Sequence, residues 1–232
     1  MKKKSALIAA VAALTVLIIL SSVLIKVNRD RRYAEALEAS VDAVVISSDK
    51  TVFPGFIYNT DSISYDSIIG EKRMGSYPGP KPGLKELRDG SSDVVRGTVV
   101  SLSYTFIDGL AYTQVDLCLD EVLKGSLEKD YYISVYFPGG YASVEDYNEF
   151  YGEDKPGGAN KYYHFVSGPS RLPYQDDELL LFISPAADSL LPGGAYELSF
   201  GEYSVYNVLE EGTLLMQNEN YMDYSKMQAI FN

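Results

Sequence analysis

Twenty residues, Ala6 to Ile25, carry no charge, and only Thr15, Ser21 and Ser22 interrupt their apolar side chains. A helix of that length reaches about 30 Å, the thickness of a bilayer's hydrocarbon core. The run begins after Lys2, Lys3 and Lys4 and ends at Lys26 with no small-x-small site behind it. A cleaved signal would have an apolar region of only about 7–15 residues. Residues 1–26 therefore read as a retained transmembrane anchor. From 27 to 47 apolar residues recur at helical spacing (Ala34, Leu37, Val41, Val44, Val45), which predicts a juxtamembrane helix. The pattern is lost over 48–92, where Pro54-Gly55, Gly70, Gly75 and the run Tyr77-Pro-Gly-Pro-Lys-Pro-Gly83 predict a linker.

After Asp93 the period becomes two. Val100, Leu102, Tyr104 and Phe106 alternate with Ser101, Ser103 and Thr105, then Asp108-Gly109 supplies a hairpin turn. Val115, Leu117 and Leu119 return against Gln114, Asp116, Cys118 and Asp120, an alternation that puts Cys118 on the polar face. Lys124-Gly125 turns the chain again into Ile133, Val135 and Phe137. Leu179 to Ile183 is apolar at every position, as in a central strand, and Pro192-Gly193-Gly194 marks a further turn before Tyr196, Leu198 and Phe200. Tyr203–Val208 and Thr213–Met216 read as closing strands, and Tyr221–Phe231 as a short helix. Residues 93–232 are thus expected to form a mainly β domain, a small antiparallel barrel or sandwich, with an inserted loop over 138–175.

Several of these stretches carry a resemblance. The run Asp93-Val-Val-Arg-Gly-Thr-Val-Val100, Tyr112-Thr-Gln-Val, Leu119-Asp-Glu-Val-Leu-Lys-Gly125, Val135-Tyr-Phe-Pro-Gly-Gly140 and the late Leu-Leu-Phe182 resemble a loose group of uncharacterised Gram-positive membrane-anchored surface proteins. The resemblance covers roughly residues 93–210 and implies an oligonucleotide/oligosaccharide-binding (OB)-like or tissue-inhibitor-of-metalloproteinase-like β-barrel held outside the membrane. It supplies no catalytic residues. The metalloproteinase inhibitors act through an N-terminal cysteine, which this domain lacks.

Charge narrows the partners. All 32 acidic residues follow position 26, with 16 of the 20 basic ones, so the part beyond the anchor carries −16. Such a field repels nucleic acid, which is not an expected partner. Flanking charge is balanced across the apolar run: three lysines precede it, while Lys26, Arg29, Arg31 and Arg32 follow, offset by Asp30. A basic extreme N-terminus favours the cytoplasm, which places the domain outside a cell membrane crossed once. The bilayer is then a partner through Ala6 to Ile25. Cys118 is the sole cysteine, so no intramolecular disulfide forms.

Candidate chemistry is sparse. His164, the only histidine, sits among Tyr162, Tyr163 and Phe165 and reads as structural or surface. Asp146-Tyr-Asn-Glu-Phe-Tyr-Gly152 fails as an EF-hand loop, with Phe150 and Tyr151 where a ligand and Gly belong; an irregular oxygen set from Asp146, Glu149, Glu153 and Asp154 is the remaining calcium arrangement. No cofactor or metal is expected. Paired acids such as Asp116 and Asp120, or Asp176-Asp177-Glu178, leave an envelope hydrolase as one alternative, and an accessory subunit of a membrane complex as another. What stands out is tyrosine: 20 residues, no tryptophan, with Tyr141, Tyr147, Tyr151, Tyr162, Tyr163 and Tyr174 in the insertion. Tyrosine presents an apolar face and a hydroxyl, the pairing that protein and glycan ligands use. Tyr141, Tyr147, Tyr151, Tyr162 and Tyr163 are therefore the candidate partner-binding residues of a binding or interaction module, with packing of the loop onto the barrel as the competing role.

Overall fold

The computed structural model describes residues 52–57, 63–75, 77–153, 158, 160–167, 172–187, 191–209, 213–216 and 221–231. The expected anchor over residues 1–26 and the expected juxtamembrane helix over 27–47 lie outside the described residues, and no helix among the described residues is long and apolar enough to cross a membrane. The described part is mainly β. Its strands are β1 (Val52–Ile57), β2 (Ile68–Met74), β3 (Asp93–Ile107), β4 (Leu110–Lys124), β5 (Tyr132–Pro138), β6 (Gly140–Ser143), β7 (Tyr162–Ser167), β8 (Glu178–Pro185), β9 (Tyr196–Leu198), β10 (Val205–Val208), β11 (Thr213–Met216) and β12 (Tyr221–Asp223). Helices α1 (Leu84–Gly90), α2 (Val144–Tyr151) and α3 (Tyr224–Gln228) complete it.

The β3–β4 hairpin organises the rest. Asp108 and Gly109 both have positive φ, 48° and 81°, which matches a two-residue turn to the right-handed twist of the strands it joins. β4 also pairs antiparallel with β5, so the three strands expected from alternation form one sheet. β3 is shared: its second half pairs with β1, and its first half, Asp93 to Thr98, pairs with β8. β8 pairs in turn with β9, and β9 runs parallel beside β5. The ladder β3–β4–β5–β9–β8 therefore returns to β3. β10, β11 and β12 extend the sheet beyond β8.

Two apolar clusters explain why Leu179–Ile183 is apolar at every position. Leu179, Leu181 and Ile183 join Val95, Leu102, Val115, Leu117, Leu119 and Val135 within the five-strand cycle. Leu180 and Phe182 point the other way, to Leu87 of α1, Tyr206, Leu214, and Tyr224 and Met227 of α3. α3 is clasped at its start: Tyr224 donates its hydroxyl to Glu121 Oε2 at 2.7 Å, and Arg96 lies over its ring. Lys124-Gly125 is more than a turn. Lys124 Nζ donates to the carbonyls of Arg88 and Ser91 at the end of α1, where helix carbonyls lack partners. Gly125 has φ 109° and leaves room for the Asp93 carboxylate, which accepts from Ser126 N–H at 3.0 Å.

Three expectations are corrected. The 48–92 span read as a linker carries β1, β2 and α1. In β2 the inward positions are Ile68, Gly70, Lys72 and Met74, so glycine and lysine conceal the alternation. Cys118 is buried, as is Asp116, because β4 is covered on both faces from Val115 to Leu119. Outward neighbours Thr98 and Tyr132 flank Cys118 in register. Finally, the 138–175 insertion is not merely a loop: it carries β6, α2 and β7, and β7 pairs with β6 and, in parallel, with β2.

Candidate functional site

The insertion leaves β5 at Pro138-Gly139-Gly140. Gly139 and Gly140 have φ of 103° and 132°, open to glycine and strained for any L side chain. Space makes the same demand, since a Cβ on Gly140 would stand 2.6 Å from Thr113 Oγ1 and 2.8 Å from the Tyr104 ring. The corner is pinned to β4: Gly139 N–H donates to the Ala111 carbonyl and Thr113 Oγ1 to the Gly139 carbonyl, each at 2.9 Å. β6 thereby runs close to the hairpin, and Tyr141 meets Tyr104 edge to face at 5.1 Å.

Register then sets Glu71, His164 and Tyr141 side by side across β2, β7 and β6. Tyr141 and His164 stack, with centroids 4.8 Å apart and planes 19° from parallel. Glu71 Oε1 lies 3.9 Å from His164 Nδ1. Burial holds the imidazole below its ordinary value of 6.5, and the Glu71 carboxylate opposes that shift. Tyr104, Tyr141, His164 and the exposed Tyr174 wall a hollow of about 220 Å³ whose lining, among the described residues, has no carboxylate, lysine or arginine. It is a place for an uncharged group that offers a flat face.

The five candidate tyrosines separate. Tyr141 lines the hollow. Tyr147 and Tyr163 are buried with Phe106, Val144 and Phe165, which corrects their assignment as partner contacts. Lys72 explains why phenols suit that cluster: its Nζ lies 4.3 and 4.6 Å from the two ring centroids and donates to Tyr147 Oη at 3.0 Å. A cation over a ring face is attractive, so the two rings stabilise a half-buried ammonium. Tyr151 is exposed, but its hydroxyl donates to the Gly109 carbonyl at 3.1 Å, gripping the hairpin tip. Tyr162 is half-buried at the start of β7, opposite Ser143. Tyr104 and His164 were not among the candidates; the Pro-Gly-Gly corner was the sequence signal for a tight crossing beside Tyr104.

The acids are engaged elsewhere. Asp116 accepts from Ser101 Oγ at 2.5 Å, Ser134 Oγ at 2.6 Å and Gln114 Nε2 at 3.0 Å, and Asp120 accepts from Thr98 Oγ1 at 2.9 Å. Asp177 accepts from Tyr174 N–H within a turn. Asp146 and Glu149 sit on α2, Asp154 lies outside the described residues, and no metal-binding cluster occurs among the described residues. No family model, no curated protein and no solved structure matches this chain.

Proposed function

We propose that the chain is a single-pass membrane protein whose extracytoplasmic domain binds a neutral glycan, one sugar ring entering the hollow between Tyr104, Tyr141, His164 and Tyr174. The observation that carries this reading is the hollow itself: aromatic rings with polar edges and, among the described lining residues, no carboxylate, lysine or arginine. Ring faces accept the C–H surface of a sugar while hydroxyls and imidazole nitrogen meet its oxygens. At about 220 Å³ the space is smaller than the about 300–1,000 Å³ of pockets for whole small molecules, so it takes one ring of a longer ligand. The −16 charge beyond the anchor disfavours polyanions as the ligand. Return of the β3–β4–β5–β9–β8 ladder to β3, with a single parallel pair, supports a small OB-like barrel as the scaffold. The uncharged run Ala6 to Ile25 supports anchoring in the bilayer, with Lys2 to Lys4 inside.

Full-length protein in nanodiscs of uncharged lipid is expected to retain neutral oligosaccharides on an array and to ignore anionic ones. Tyr141→Ala lowers that affinity about tenfold, while Tyr151→Ala leaves it unchanged. Failure of the parent protein to bind any neutral glycan, or equal binding by the Tyr141 variant, refutes the reading.

A further inference from the structure

A second hollow, of about 210 Å³, opens on the outward side of β4, β5 and β9 and has a different character. Register builds it: Tyr112 of β4 lies opposite Pro138, and Tyr136 of β5 lies beside Glu197 of β9. Ala187 and Leu191, from the β8–β9 connection, contribute to its walls. No lysine, arginine or histidine lines it among the described residues.

Glu197 is half-buried, and its one hydrogen-bond partner among the described residues is the Ala187 amide at 3.3 Å. A partly desolvated carboxylate without a counter-charge is costly unless something positive completes it. The rings around it are held in place. Tyr136 donates its hydroxyl to Gln114 Oε1 at 2.7 Å, and Gln114 Nε2 in turn donates to Asp116, which Ser101 and Ser134 also bond. The local field is negative as well. Burial raises the Tyr112 phenol, and the carboxylates of Glu197 and Asp108 raise it further; Tyr136 is raised by burial and by Asp116.

We propose that this hollow binds an organic ammonium group, with its positive charge against Glu197 and its alkyl substituents against the rings of Tyr112 and Tyr136. Aromatic faces attract cations through the ring quadrupole, more strongly where water is excluded, and one carboxylate completes the charge balance. A divalent metal ion suits the place poorly. Calcium takes about six to eight oxygen ligands, whereas the described lining residues offer a single carboxylate beside apolar Pro138, Leu191 and Leu198.

Isotope-labelled full-length protein in nanodiscs of uncharged lipid is titrated at constant ionic strength with tetramethylammonium, with butylammonium and with tert-butanol, a neutral group of similar shape. Tyrosine ring signals report binding. One or both ammonium ions are expected to move the Tyr112 and Tyr136 signals saturably, and tert-butanol is not. Preference for tetramethylammonium marks a quaternary ligand, and preference for butylammonium a primary amine such as a lysine side chain. Glu197→Gln, whose amide oxygen still accepts from Ala187, weakens ammonium binding about tenfold, as does Tyr112→Leu. Equal response to tert-butanol, no response to either ion, or undiminished binding by Glu197→Gln overturns the proposal. The comparison of ions with alcohol on the unaltered protein decides the matter even if a variant does not fold.

Discussion

The interior of the five-strand cycle and the layer beneath the insertion solve the same problem with different side chains. The first is built from valine, leucine and isoleucine, with Phe137 the one aromatic among its described buried residues and Tyr196 packed against it from the margin. The second is built around Phe106, Tyr147, Tyr163 and Phe165, with Lys72 set over two of the rings. An aliphatic side chain has one use, burial, so its position in a sequence already says which way it points. A tyrosine serves burial and hydrogen bonding together. Tyr147 packs, Tyr151 grips a turn and Tyr141 lines a hollow, although the three lie within eleven residues of one another.

The largest test of that contrast is Phe106→Ala. Phe106 is fully buried on β3 and contacts Tyr147, Phe150 and Phe165 of the insertion. Its truncation is expected to cost about 3–5 kcal/mol in urea unfolding. Amide exchange should accelerate in β6 and β7 while Leu179 to Ile183 keep their protection. Equal loss of protection in β8 would show that both layers unfold as one unit.

A smaller effect is expected at Lys72→Met, which keeps the apolar stem and removes the cation and its bond to Tyr147. Denaturant midpoints should report a loss of about 1 kcal/mol. An unchanged midpoint would mean that the phenols need no cation.

The smallest effect is the pH dependence carried by His164. Its folded-state value lies below 6.5, so between the two values the unfolded chain binds the additional proton. Stability therefore rises with pH across that window and falls as pH drops from about 7 towards 5. The decline should be shallower in His164→Phe, which keeps a ring against Tyr141, and steeper in Glu71→Gln, which removes the opposing carboxylate. Parallel profiles for all three proteins would place the titration elsewhere.

Legibility in the sequence followed the same division. Val100 to Phe106, the Asp108-Gly109 turn, Val115 to Leu119 and Leu179 to Ile183 announced β3, β4 and β8, since period and turn chemistry are local properties. β2 was missed because Gly70 and Lys72 occupy its inward face, and α1 because it buries a single residue, Leu87. Cys118 lies on the face that alternation assigns it, yet is buried, because alternation names a face and says nothing of what covers it. The hollow was half legible. Tyr141 was a candidate, but Tyr104 reads only as a strand residue, and the stacking of His164 on Tyr141 depends on a pairing between β6 and β7 that no local pattern specifies.

β5 and β8 belong to one cycle, yet residues 139–177 separate them. The entropy of closing a loop rises only with the logarithm of its length, about 0.6 kcal/mol for each doubling. The pairing of Val94 with Phe182 and Gly97 with Leu179 is thus almost indifferent to how much chain is spanned. A change of length within residues 139–177 therefore costs the strand register on either side little entropy, while what the surface presents can change with it.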